Sequence, residues 1–314
     1  MSNIFISSAR LLLIVTLLFM GPGIVKVKAS NISDSNIRVI LDANLIPFSE
    51  PPYIENSTTL VQFRPIFENL GLEVSWNEFT RTVKGRKQGV QIELQIDNPV
   101  AKVNGNSITL SVAPKLKDGN TFVPLRFISE SVESKVEWND ASRTVVIYSK
   151  NNYASADGKF HFTAYGLWRN MGGLDKIKSE VDERVQDFVM VEDVEYLQLA
   201  LRYFNYTMLF ISAEPDIDKT KDMDLIQYLD RAKKKAAISN VDILGEKQIK
   251  LFGFDARQLT YVNNNDWDKR VDTLIVFKSD SQFYSIRNSS YEVTYKSSIL
   301  DFHEILESMD FQEK

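Results

Sequence analysis

The chain has 314 residues, 44% of them hydrophobic and 25% charged, with a formal net charge of −5 and no cysteine. That length admits two domains of ordinary globular composition. The missing cysteines exclude a disulfide framework, a lipid anchor on cysteine, a thiolate metal site and a cysteine nucleophile, and the acidic balance argues against general nucleic-acid binding.

Arg10 precedes an apolar run from Leu11 to Met20, Gly21, Pro22 and Gly23 break it, and Val27, Lys28 and Ala29 offer a small-residue cleavage pattern. Residues 1–29 therefore read as a secretory signal peptide. The uncharged stretch from Leu11 to Val25 is short against the roughly 20 residues a bilayer helix needs, so no membrane attachment is expected once it is cut. Cleavage removes Arg10, Lys26 and Lys28 and leaves 34 basic and 42 acidic groups, a net charge of −8. The expected location is secreted or at the cell surface.

Two stretches that follow match without a gap. Val61, Arg64, Ile66, Glu68, Val74, Trp76, Asn77, Arg81, Thr82 and Val83 face Val123, Arg126, Ile128, Glu130, Val136, Trp138, Asn139, Arg143, Thr144 and Val145. In each copy an extended segment and a turn come first, Ile37 to Leu41 with Asp42 to Asn44, and Ala101 to Val103 with Asn104-Gly105, the latter a strong hairpin signal. Phe63, Ile66, Phe67 and Leu70 recur at helical spacing, as do Leu125, Ile128 and Val132, which predicts a short amphipathic helix in each copy. Pro124 suits the first turn of the second helix. Gly71 suits a left-handed cap on the first; Glu133 stands at the matching place, so a different cap is expected there. Period-two alternation then takes over at Leu72, Val74 and Trp76 and at Val136 and Trp138.

The run Val123-Pro124-Leu125-Arg126-Phe127-Ile128-Ser129-Glu130, then Val136-Glu137-Trp138-Asn139, then Arg143-Thr144-Val145-Val146-Ile147, preceded by its looser copy, resembles the copper amine oxidase N-terminal domain over residues 37–148. The resemblance implies strands wrapped on helices and a non-catalytic, stalk-like role. It does not bring copper chemistry with it: only His161 and His303 are present, and neither Asn152-Tyr153-Ala154 nor Asn205-Tyr206-Thr207 supplies the acid expected beside a quinone-forming tyrosine. No cofactor and no metal are expected.

Lys150 to Asp157 is polar and reads as a linker, so the expected domains are residues 30–150 and 158–314, joined by 151–157. Phe160 to Trp168 predicts an opening strand, and Met171 to Phe188 a partly helical segment. Tyr196 to Tyr203 and Tyr206 to Ser212 read as two strands about a turn, with a helix ending near Phe204 as the alternative. Leu225, Tyr228 and Leu229 mark a helix that carries Lys233, Lys234 and Lys235 toward its end, where cations suit the dipole. Four further segments, Gln248 to Leu251, Ala256 to Val262, Asp272 to Lys278 and Gln282 to Arg287, read as an antiparallel meander. A last helix carries Ile299, Phe302, Ile305, Leu306 and Met309. This order of elements resembles the PsbP-like α-β-α sandwich over residues 158–312. The fold class expected for the whole chain is thus α+β: a duplicated strand-helix-strand module, then an α-β-α sandwich with an antiparallel sheet.

Candidate binding residues are Arg64, Arg126, Trp76, Trp138, Trp168 and Trp267. Each arginine could act as a ligand clamp, but its duplication favours a packing role, stacked near Trp76 or Trp138, bonded to strand carbonyls, or paired with Glu68 or Glu130. Asp216, Asp218, Thr220, Asp222 and Asp224 alternate as in a calcium loop, but Lys221 and Gln227 stand where the loop needs glycine and glutamate. A solvated turn that caps the next helix is expected instead. Asn263 to Asp268 reads as a hairpin tip that could display Trp267. With no G-x-S-x-G, H-E-x-x-H or phosphate loop, no catalytic residue is assigned. The chain reads as a secreted, non-catalytic envelope or extracellular protein in which the stalk-type first module acts as spacer or adhesion unit and the α+β second domain binds the partner, a cell-wall polymer or another extracellular protein. The alternative is a hydrolase acting on cell-wall glycans through carboxylates of its second half.

Overall fold

The alternating patterns resolve into mostly β structure in a computed structural model, which describes residues 37–171, 196–203, 207–215, 222–238, 241–264, 269–279 and 282–313. The segment expected to be a signal peptide, most of Met171 to Phe188, the start of the acidic run at Asp216 and Trp267 lie outside the described residues.

In chain order the first half comprises β1 (Arg38–Leu41), β2 (Asn44–Leu45), β3 (Tyr53–Glu55), β4 (Thr58–Gln62), α1 (Phe63–Asn69), β5 (Glu73–Asn77), β6 (Thr82–Lys87), β7 (Val90–Gln95), β8 (Val100–Val103), β9 (Asn106–Thr109), β10 (Lys115–Lys117), β11 (Asn120–Pro124), α2 (Leu125–Ser131), β12 (Lys135–Asn139) and β13 (Thr144–Tyr148). At its centre β4 and β11 pair antiparallel, Gln62 with Phe122, Val61 with Val123 and Leu60 with Pro124. Exchanging the two strands maps this register onto itself about the Val61–Val123 pair. A helix leaves the end of each strand and buries Ile66 and Phe67, or Leu125 and Ile128, in one core with Val61 and Val123. Beyond the helices lie two sheets, ordered β12-β13-β1-β2 and β5-β6-β7-β8-β9. In the first, β1 lies directly beside β13 in parallel, Arg38 against Thr144 through Leu41 against Ile147; in the second, β7 intervenes between β6 and β8.

Three expectations need correction here. Glu133 does not end α2 differently from Gly71: it has φ of 61° where Gly71 has 76°. Its N–H bonds Glu130 O at 2.9 Å and the next N–H bonds Ser129 O at 3.0 Å, as Gly71 and Leu72 do with Glu68 and Phe67. The left-handed backbone is held despite its side chain, and Lys150 Nζ pairs with the Glu133 carboxylate at 2.7 Å. Glu133→Gly is therefore expected to raise stability by about 0.5–1 kcal/mol, since the strain relieved exceeds what an exposed ion pair contributes; a melting temperature below that of the parent would contradict this. Pro124 is not inside the helix but closes β11, one residue before α2. Finally, the segment expected as a linker is in large part a strand, β14 (Lys150–Ala154), paired residue by residue with β15 (Phe160–Tyr165).

Gly85 on β6 is required by packing, because any Cβ there would collide with the Phe67 ring. At the matching positions 62 residues later stand Ser129 and Ile147. One copy fills the space from the helix and the other from the strand.

The second half continues with β16 (Arg169–Asn170), β17 (Leu197–Arg202), β18 (Met208–Pro215), α3 (Leu225–Ile238), β19 (Val241–Leu251), β20 (Phe254–Asn263), β21 (Arg270–Ser279), β22 (Gln282–Tyr291), α4 (Tyr295–Ser308) and β23 (Asp310–Phe311). Seven strands form an antiparallel sheet ordered β16-β17-β18-β22-β21-β20-β19. Side chains alternate across it. Leu274, Val276 and Phe283 pack with Tyr228 and Leu229 of α3; Ile275, Phe277, Tyr284 and Ile286 pack with Phe302 and Ile305 of α4 and with Met309 just beyond its end. The α4 face is shared with a small sheet, β14-β15-β23, which the expected sandwich lacks. Asp224 starts α3 with a reciprocal pair, its carboxylate accepting from Gln227 N at 2.8 Å while Gln227 Oε1 accepts from Asp224 N at 2.9 Å. Near its other end Lys233 pairs with Glu246 at 2.5 Å.

Candidate functional site

Two clefts open on the first half. The first, of about 740 Å³, is lined among others by Arg126, Phe127, Trp138, Asp140, Arg143 and Ile54. The second, of about 700 Å³, is lined among others by Arg64, Pro65, Trp76, Glu78, Arg81 and Leu116. Both volumes fall within the roughly 300–1,000 Å³ of small-ligand sites. Each cleft has one wall from a helix and the hairpin after it, and the other from the strand pair of the opposite copy.

Four of the six residues singled out in the sequence are thus divided between these clefts, Arg126 with Trp138 and Arg64 with Trp76. The arginines do not stack on the indoles. Arg126 Nη1 donates to Val136 O at 3.2 Å and pairs with Glu130 at 3.4 Å; Arg64 pairs with Glu68 at 3.6 Å and lies over Phe63 at 5.5 Å. These ion pairs are exposed and contribute little to stability. Trp76 is 38% exposed, and Trp138 donates through Nε1 to Asp140 Oδ1 at 3.3 Å.

Sequence reasoning passed over Arg81 and Arg143. Each ends a hairpin turn in the left-handed region, φ 51° and 47°, where glycine or asparagine is the ordinary occupant. The turns are built alike, Asn77 Oδ1 accepting from Thr80 N and Asn139 Oδ1 from Ser142 N, both at 3.0 Å. Arg81 pairs with Asp97 at 3.1 Å, whereas Arg143 Nε is buried and has no hydrogen-bond partner among the described residues. The available signal was the matched arginine pair at a turn position that disfavours a side chain.

A third cleft, of about 590 Å³, lies where β12 and β13 meet β15 and α4, and it holds Trp168, Tyr148, Tyr203, Lys135, Glu137, Asp301 and Glu304. Trp168 is a core residue there, 8% exposed, with its ring 5.1 Å from that of Tyr203. Lys135 bonds Glu304 at 2.8 Å and lies 3.6 Å from Glu137. Burial pushes the Asp301 carboxyl up to about 6, with Lys135 opposing the shift and Glu304 and Glu137 adding to it. Burial likewise raises Tyr148 and Tyr203.

The sign for Asp301 follows from that shift. A carboxyl whose folded pKa lies above its ordinary 3.8 adds stability that is complete below that value and is lost as pH rises through about 6. Part of the group stays open to solvent, so the screened contribution is about 1–2 kcal/mol. Asp301→Asn should flatten the melting temperature between pH 4 and 7 relative to the parent. An unchanged pH profile would show that Asp301 titrates normally.

Among the described residues, no three His, Asp or Glu side chains are grouped to hold a metal ion. His161 on β15 and His303 on α4 are both exposed and offer no copper donor set. Among the described residues, no helix is long and apolar enough to cross a membrane.

The fold and clefts define a β-rich chain whose first half carries two small-ligand-sized clefts and whose second half is a helix-flanked antiparallel sheet. Residues 40–147 match the copper amine oxidase N-terminal domain family, within a few residues of the span read from the repeat. The chain is similar to a protein of Brevibacillus choshinensis named protease inhibitor, 34% identical over 92 residues, 28% of this chain and 27% of that protein. The match thus spans about a quarter of that relative's length. Similar solved structures include the PsbP of Synechocystis sp. PCC 6803, at a TM-score of 0.35 and 12% identity, covering 52% of this chain and 92% of that one. Another is LpqN of Mycobacterium tuberculosis, involved in cell envelope biogenesis, at a TM-score of 0.35 and 11% identity, covering 53% and 92%.

Proposed function

We propose that this is a secreted, non-catalytic protein of the cell envelope or extracellular space, organised as two domains, in which a duplicated stalk-type module binds a partner through its two clefts. The observation that carries this reading is the placement of Trp138, Arg126 and Arg143, and separately of Trp76, Arg64 and Arg81, around open clefts of ligand size. The match of residues 40–147 to the copper amine oxidase N-terminal domain, a resemblance that implies a non-catalytic role, and the similarity to a protein named as an inhibitor support binding in place of turnover. The test is incubation of the full chain with purified cell walls, following both its retention and the release of soluble wall fragments. Retention without fragment release is expected.

A second reading rests on the third cleft, where Asp301 carries a raised pKa beside Glu137 and Glu304. A carboxyl protonated near pH 6 is what a glycosidic general acid requires. Fragment release abolished by Asp301→Asn would establish the hydrolase and displace the first reading.

A further inference from the structure

The two clefts of the first half are not merely similar in character. Each of the twelve residues lining the second has a counterpart 62 positions away lining the first: Arg64 and Arg126, Trp76 and Trp138, Glu78 and Asp140, Arg81 and Arg143, with Leu116 and Ile54 exchanged across the pair. That exchange follows from the β4–β11 register, in which equivalent strands cross at Val61 and Val123. Conserving a fold requires matched core positions. Matched surface positions, including an arginine kept at a left-handed turn residue in both copies, need another reason, and strained backbone concentrates at ligand clamps.

We propose that the clefts are two copies of one site for an uncharged sugar unit of a polysaccharide, a proposal that rests on the partner-binding reading above. Each presents an indole for the apolar face of a pyranose ring, with an exposed aliphatic side chain, Ile54 or Leu116, on the facing wall. Asp140, already oriented by the Trp138 N–H, or Glu78 can accept from ring hydroxyls, while Arg143 or Arg81 donates to them. Arg143 lines the first cleft and its buried Nε has no partner among the described residues, so a shift of the side chain toward a bound sugar oxygen would satisfy that donor. Charge is balanced in the first cleft, Arg126 and Arg143 against Glu130 and Asp140, and in the second Arg64 and Arg81 stand against Glu78 and the Asp97 that pairs with Arg81, which disfavours an anionic unit. Two equal sites on one module suit a repeating polymer, because engagement of both raises avidity by a factor on the order of 10²–10⁴ where geometry allows it.

The experiment is calorimetric titration of the full chain with N-acetylglucosamine oligomers, cello-oligosaccharides and oligogalacturonates, alongside wall retention. One of the uncharged series should saturate at two equivalents per chain. Arg81→Gly and Arg143→Gly should each reduce this to one equivalent with the melting temperature unchanged or raised, a combination that a structural role for these arginines does not produce. Trp138→Phe should retain the site that Trp138→Ala loses. A single equivalent, saturation by oligogalacturonate alone, or indifference to all these substitutions would overturn the proposal. If no sugar binds while walls still retain the chain, the sugar assignment falls and the partner-binding reading stands; if neither occurs, both fall.

Discussion

Phe277→Ala should lower the stability of the chain by about 3–5 kcal/mol. Phe277 is fully buried, and five rings surround it: Tyr284 and Phe311 at 5.2 Å, Phe254 at 5.6 Å, Phe252 at 5.7 Å and Phe160 at 6.3 Å. These rings come from β15, β20, β22, β23 and the β19–β20 turn, so the lost side chain leaves a void that several elements would have to close together. Thermal unfolding measures it directly. Phe79→Ala is the control: that ring is entirely exposed, and its removal should change stability by less than about 0.5 kcal/mol. Equal effects for the two substitutions would mean that the second core is not built as described.

Arg287→Met should cost a comparable amount, about 3–5 kcal/mol, for an electrostatic reason. Arg287 Nε lies 4.0 Å from Asp272 Oδ1, both side chains being almost wholly buried. Burial already raises the Asp272 carboxyl, with Arg287 foremost among the groups opposing that shift. Without the guanidinium, an ionised Asp272 is left far less compensated inside the sheet. A raised folded pKa favours the protein at low pH and disfavours it as pH rises, so the deficit of the variant should shrink as pH falls toward the ordinary carboxylate range. The double variant Asp272→Leu, Arg287→Met should recover most of the loss. A double variant less stable than Arg287→Met alone would contradict this account.

Much of the first half was legible because its pattern occurs twice. Helical spacing at Ile66 and Ile128 and alternation at Trp76 and Trp138 each had a second copy as a check, and the match of residues 40–147 falls on the same span. Legibility failed where a residue's conformation depends on a distant partner. Lys150 to Ala154 has loop composition, yet β15 pairs with it along its length and Tyr153 stacks on Phe162 at 5.5 Å. Glu133 has the wrong intrinsic preference for a left-handed cap and adopts it because the chain must turn into β12 at that point. The parallel pairing of β1 with β13 likewise joins segments over a hundred residues apart.

For the candidate sites the division is similar. Trp76, Trp138, Arg64 and Arg126 were found through the repeat, while their clefts were invisible because each borrows a wall from the other copy. Trp168 was singled out as a possible binding or structural residue and lies in the core. Asp301 was never a candidate: its neighbours Lys135 and Glu137 stand more than 160 positions earlier, and no local spacing announces such a meeting.

The most direct test of the central claim is co-sedimentation of the full chain with native cell walls at low and moderate salt, beside the double variant Trp76→Ala, Trp138→Ala. Trp76 is exposed while Trp138 is half-buried against the first core, so the variant should melt below the parent, and the comparison is made at a temperature where both are folded. The account predicts that the parent pellets with the walls at both salt concentrations and that the folded double variant stays in the supernatant. A parent that stays in the supernatant, or a double variant that pellets equally well, would contradict binding through the clefts of the first half.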